Sequence, residues 1–196
     1  WWDTEKLLIQ MQAMKENPQC LISHTEEIWY KNGALLNQKK KHRKHSGYIF
    51  EKCLPLCVVS MSTVVVKREL FDKNELFDES LLCCEDYDFW LRASIDNEFM
   101  LIEKPLTSKD GGRSDQVSSI YATGIDKFRI QSILKVINSG LLNAQQKECA
   151  IEELQKKCHI YGNGCIKHGR EKEGKYYLEM EFQKVSLTLP SLPPLS

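Results

Sequence analysis

The sequence has no surplus of either charge: Lys and Arg together number 27, and so do Asp and Glu. With no net field, the chain as a whole does not recruit nucleic acid or an anionic membrane, and partners have to be sought in local sites. No window approaches the roughly 18 consecutive apolar residues of a membrane-spanning helix, so the expected protein is soluble or at most peripheral. A signal-like start is missing, and so is an initiator methionine. The chain opens on Trp1-Trp2-Asp3 and runs at once into a helical pattern, the texture of the middle of a domain. Part of any active site is therefore expected upstream. No internal repeat is visible.

At 196 residues the chain can bury one sizeable core and a smaller appendage. Its eight cysteines suggest a disulfide scaffold. Apolar content and length are enough for a core without staples, so reduced thiols in a cytoplasmic setting are expected instead. His42, His45, Cys53 and Cys57, even with Cys83 and Cys84 added, fit no standard zinc spacing. No zinc is expected, and most of the thiols read as small buried apolar groups.

Periodicity divides the chain into a mixed α/β part and a helical part. Thr4 to Lys15 carries apolar residues at helical spacing until Asn17-Pro18 stops it, and Cys20 to Trp29 reads as a strand turning at Lys31-Asn32-Gly33. A basic loop at 38–47 and a short helix around Tyr48 to Leu54 precede the β-branched run Leu56 to Val66, which predicts a strand buried over most of its length. Arg68 to Phe71 forms a helical turn, Asp86 to Ile95 a helix, Phe99 to Ile102 a strand, and Lys109 to Ser114 a polar loop with two glycines. After a boundary near 116–122, helical spacing takes over. One helix runs through Phe128 to Ile137 and ends at Gly140, a second is capped by Asn143, and a third covers Glu171 to Lys184. The proline-bearing end, 185–196, reads as a disordered tail.

The chemistry is concentrated at Glu85-Asp86-Tyr87-Asp88-Phe89-Trp90-Leu91-Arg92, where three carboxylates run into an amphipathic aromatic helix. Carboxylates this close repel one another, and the helix macrodipole partly offsets that repulsion. A carboxylate poised as a proton acceptor is what deprotonation of a hydroxyl needs. A solvated, acid-rich helix start is the plain alternative.

Set beside its neighbours, this motif makes the chain resemble the C-terminal half of a family 2 glycosyltransferase of the GT-A nucleotide-sugar fold. Trp2, Glu5-Lys6-Leu7 and Gln10 resemble the helix after that family's metal-binding Asp-x-Asp motif. Phe71, Leu76-Phe77-Asp78-Glu79 and the acidic run resemble the stretch ending in its catalytic-base motif. The resemblance covers residues 1–119 and implies a partial GT-A α/β core, followed by a helical extension at 120–184. It implies inverting transfer of a sugar from a nucleotide diphosphate donor to the hydroxyl of a glycan or lipid-linked acceptor, in cytoplasmic assembly of a cell-surface glycan. Asp86 would be the general base, with Glu85 as its helper. Asp88, together with Arg92, would brace the helix or contact substrate. A divalent cation, Mn or Mg, would be held mostly by ligands upstream of this chain. The glycine loop carries Arg113 where relatives of the family often have His, and a guanidinium can pair with a diphosphate but cannot ligate a metal.

Ser60 and Ser62 alternate onto one face of the predicted strand, where core hydroxyls are the plain reading and acceptor binding the sharper one. Trp29 reads as a core or cleft-wall residue with a sugar-stacking option. The basic run 39–45 lacks interleaved aromatics. It reads as a solvated loop, with peripheral membrane contact as the sharper option and no nucleic-acid role. A competing reading of the whole chain is a non-catalytic binding or scaffold module that keeps only the acceptor cleft.

Overall fold

The computed structural model describes residues 1–111 and 124–182. The boundary near 116–122, Arg113 and the tail at 185–196 lie outside these. The chain is mixed α/β, a four-stranded sheet flanked by helices.

Helix α1 (Lys6–Glu16) ends at Asn17, before Pro18. The face it buries is not the apolar one. Lys6, Gln10 and Met14 turn inward, while Leu7, Leu8 and Met11 are exposed. The Gln10 amide explains the inversion: it reaches Ser23 Oγ and Thr63 O, each at 3.1 Å, so α1 docks through polar groups that burial requires to be paired.

Strand β1 (Ile22–Lys31) is the centre of the sheet and turns through Asn32-Gly33 into β2 (Ala34–Leu36). Both turn residues have positive φ, 53° and 78°, the backbone that an Asn-Gly hairpin turn requires. The predicted strand over Leu56 to Val66 is mostly not one. Only β3 (Val65–Val66) pairs, antiparallel to the start of β1, and Met61–Thr63 forms a 3-10 turn. Thr63 Oγ1 donates to Ser60 O at 2.7 Å across that turn, a local partner of the kind that competes with a ladder and overrides strand propensity.

Strand β4 (Phe99–Gly111) runs parallel to β1, from Ile22 opposite Phe99 to Lys31 opposite Gly111. It is longer than the predicted strand and absorbs Lys109, Asp110 and Gly111, which were expected in a loop. Pro105 has no N–H to give the ladder, and the register slips there, between Thr25 and Glu27. Such a bulge re-aims the side chains beside it, and Glu27 is one of them.

Helices α2 (Phe50–Cys53) and α3 (Arg68–Asn74) flank α4 (Glu85–Ala93), the hub of the core. Tyr87, Phe89, Trp90, Leu91 and Ala93 are all nearly or fully buried. Phe89 meets Phe77 at 4.7 Å and Phe71 at 5.3 Å, and Trp90 meets Phe99 edge-on at 6.1 Å, which keys α4 to the start of β4. Helix α5 (Ile125–Asn138) packs on α4 and is followed by Gly140 at φ 74°. Helix α6 (Ala144–Lys167) starts at a capping box between Asn143 and Gln146, and α7 (Glu171–Phe182) folds back along it. One continuous set of buried residues runs from Ile22 through α4 to Tyr177 and Met180, so these helices share the core of the α/β part.

Candidate active site

Cys84, the N-cap of α4, sits at φ 66°, a left-handed conformation that non-glycine residues seldom take. The bend delivers Glu85 and Asp86 into the first turn of the helix, Glu85 exposed and Asp86 half-buried. Both Asp86 oxygens are held: Oδ1 accepts from Tyr87 N–H at 2.7 Å, and Oδ2 accepts from the Cys57 thiol at 3.4 Å. Burial, and then the Asp86 charge, push the Cys57 thiol well up, which keeps it protonated and able to donate.

A cleft of about 400 Å³ opens over this turn, and Glu85, Asp86, Ser60, Ser62 and Trp29 all line it. The two serines reach the cleft through the 3-10 turn rather than by strand alternation. Asp88 does not join them. It is buried behind the turn, where its Oδ2 accepts from Arg92 Nε at 2.9 Å and lies 3.4 Å from Lys135 Nζ. Arg92 is itself tied to the carbonyls of Asn74 and Leu76. Arg113 is not among the described residues.

Sequence reasoning missed the charged wall of the cleft. Glu27 projects from β1 with its side chain 3% exposed, Lys44 Nζ at 3.8 Å and Lys109 Nζ at 3.4 Å, while Trp29 Nε1 donates to its Oε1 at 2.8 Å. Burial pushes the Glu27 carboxyl up, but Lys44, Lys109 and the Trp29 indole outweigh it and hold the group below its ordinary value, so it is an anion. Lys44 sits in the basic run 39–45 yet is buried, its pKa lowered by burial against the pull of Glu27. His42, from the same run, packs on Trp29 at 4.9 Å. The signal available for Glu27 was its spacing from Trp29, since residues two apart on a strand share a face.

Cys53, Cys83 and Cys84 are buried thiols, and burial pushes Cys53 and Cys84 up to about 12. That disfavours the thiolate which metal binding or nucleophilic chemistry requires. Among the described residues no group of three or more His, Cys, Asp or Glu side chains is arranged to hold a metal ion.

The fold and the cleft define a class: a mixed α/β chain with a carboxylate held at a helix N-terminus over a pocket lined by hydroxyl, aromatic and charged groups. Particular relatives narrow it. The chain is similar to an uncharacterized glycosyltransferase of Rickettsia felis, 31% identical over 109 residues, 53% of this chain and 17% of that protein. One from Rickettsia bellii is 28% identical over 137 residues, 70% of this chain and 19% of the relative, and one from Rickettsia conorii is 30% identical over 109 residues. The chain thus spans less than a fifth of the length of these relatives. No family model matches it.

Proposed function

We propose that the chain forms the acceptor-side part of a glycosyltransferase of the GT-A type, family 2, and that Asp86 is the general base of an inverting transfer. The observation that carries this reading is the Asp86 carboxylate itself, oriented by Tyr87 N–H and the Cys57 thiol at the wall of a cleft. An acceptor hydroxyl entering the cleft gives its proton to Asp86 as its oxygen attacks the anomeric carbon of the donor sugar, and the nucleotide diphosphate departs with the electrons of the bond it leaves. Glu85 and the hydroxyls of Ser60 and Ser62 orient the acceptor, and the Trp29 ring offers its sugar a face.

The relatives' descriptions support glycosyl transfer in general, and the site chemistry is what supports Asp86 as its base. Arg113, in the glycine loop, is proposed to pair with the departing diphosphate. The described residues supply no metal cage, and the ligands of a divalent cation that assists the departing diphosphate are proposed to come from elsewhere in the protein. Among the described residues no helix is long and apolar enough to cross a membrane. The exposed lysines and arginine of 39–45 leave a peripheral approach to a lipid-linked acceptor open to test by vesicle co-sedimentation.

The deciding experiment is Asp86→Asn in the full-length protein. Loss of a positioned base lowers transfer by about 10²-fold or more while the fold is kept. Turnover close to that of the unaltered protein would remove Asp86 from the mechanism and favour a binding module.

A further inference from the structure

The charges of the chain cancel overall but not locally. From Ile28 to Phe50 there is no Asp or Glu, while Lys31, Lys39, Lys40, Lys41, Arg43 and Lys44 all fall in that stretch. Burial divides these cations: Lys44 turns inward to Glu27, and the other five are exposed. The run 39–43 is not a loose loop. Gln38 Nε2 donates to Glu27 O at 2.7 Å, His42 packs on Trp29 at 4.9 Å, and Lys40–His42 form a 3-10 turn, so the backbone is pinned to β1 while Lys39, Lys40, Lys41 and Arg43 stay in solvent.

Between Lys31 and Lys39 the β1–β2 hairpin carries uncovered leucines. Leu35 is 66% exposed and Leu36 43%. Neighbouring strand residues point to opposite faces, so both faces of β2 are bare, and among the described residues β2 pairs with β1 alone. One exposed leucine is ordinary, but two on the rim of an acid-free, cationic surface make an amphiphilic edge. An anionic lipid surface satisfies both parts, taking the cations at its headgroups and the leucines among its acyl chains. Nucleic acid would satisfy the cations and leave the leucines in water. It also stacks on open rings, whereas Trp29 is packed on His42 and Tyr30 on Trp1. Asp110, exposed opposite Tyr30 on β4, is outnumbered by the five cations.

We infer that the end of the β1–β2 hairpin and the basic turn after it, Lys31 to Arg43, form a docking edge for an anionic membrane surface, with Leu35 and Leu36 entering the lipid edge-on. The cations supply the attraction and the leucines the anchor. This edge borders the cleft that contains Asp86: His42 lines the cleft itself, and Leu36 lines a neighbouring groove of about 730 Å³ that shares Trp29 and Ser62 with it. Docking therefore brings the mouth of the cleft to the lipid surface. The use of that placement, delivery of a lipid-linked acceptor hydroxyl to Asp86, rests on the glycosyl-transfer reading; the docking does not.

The test is co-sedimentation of the full-length protein with vesicles of phosphatidylcholine, either alone or with about one third phosphatidylserine. Binding is expected to the second and not to the first, and it falls as salt is raised. Lys39→Gln, Lys40→Gln and Lys41→Gln together lower the partition coefficient by about 100-fold, at about fivefold for each cation near the surface. Leu35→Ser with Leu36→Ser lowers it by about tenfold at unchanged salt dependence, since the apolar anchor is lost and the charge is kept. All five positions are exposed, so the variants keep the fold. Absence of binding to the anionic vesicles, or a lysine variant that binds like the unaltered protein, overturns the docking edge. A leucine variant of undiminished affinity, or a single-stranded oligonucleotide bound more tightly than the vesicles, overturns it as well. Asp86→Asn keeps vesicle binding whatever it does to transfer, so the docking edge and the proposed reaction fail separately.

Discussion

Asp86 and Asp88 are two residues apart, and a helix turns successive side chains by about 100°, so they face nearly opposite ways. Asp86 looks into the cleft, whereas Asp88 is buried among cations, taking Arg92 Nε at 2.9 Å and standing 3.4 Å from Lys135 Nζ. Removing the acid from such a set leaves a largely buried guanidinium without its anion. Asp88→Ala is expected to destabilise the protein by about 3 kcal/mol in urea unfolding, while Glu85→Ala, at an exposed position, stays within about 0.5 kcal/mol. Equal effects at the two positions would contradict this division of roles. The acidic run was legible in the sequence because a helix N-terminus is written in neighbouring residues. The Glu27, Lys44 and Lys109 set was not, because it joins residues far apart through the β1–β4 register and a bulge that no local pattern announces.

The same distinction holds for whole elements. Helices with their own stop and start residues, such as the one capped by Asn143 and the one ended at Asn17-Pro18, were readable. The run from Leu56 to Val66 has strand composition but folds as turns, because its hydroxyls and its place over the cleft outweigh propensity. Helix α1 was readable as a helix but not by face, since its buried side is set by the Gln10 amide. The α6–α7 hairpin shows what helical spacing alone does not. A methyl added at Gly174 would lie 2.7 Å from Gly162 O and 2.6 Å from Ile166 Cγ1, whereas one added at Gly164 meets nothing within 4 Å. Gly164→Ala is expected to stabilise the fold by about 0.5–1 kcal/mol through helix propensity. Gly174→Ala, with the same gain in propensity, is expected to lose about 2 kcal/mol because two helices must move apart. Thermal unfolding of the two variants should shift in opposite directions. Loss of the cap in Asn143→Ala is expected to cost about 1 kcal/mol in the same measurement.

At the scale of the whole molecule, one buried residue ties acid stability to the architecture of the cleft. His24 lies on β1 with no exposure, its ring edge-on to Phe99 and its Nε2 at 2.8 Å from the carbonyl of His45. That bond makes Nε2 the protonated nitrogen, and the buried Nδ1 has no partner. Burial first, then the Lys44 charge, pull its pKa from 6.5 to about 4, against the weaker pull of the His45 carbonyl and Glu27. Because the folded value is the lower one, the unfolded chain takes up the proton first. The contribution to stability is therefore complete above about pH 6.5 and is lost as the pH falls toward 4, in total on the order of 3 kcal/mol. Asp78 is held down to about 2, chiefly by the Ser80 hydroxyl and then by Lys135, so its contribution persists until the medium is more acidic than that window. Acid destabilisation should begin with the histidine, before the carboxylates take part. In His24→Gln, which keeps a donor for the His45 carbonyl but cannot charge, the free energy of unfolding should fall less between pH 6.5 and 4 than in the unaltered protein, the remaining slope coming from His42 and His45, whose pKa values burial also lowers. A slope as steep as that of the unaltered protein would assign the acid sensitivity to other groups.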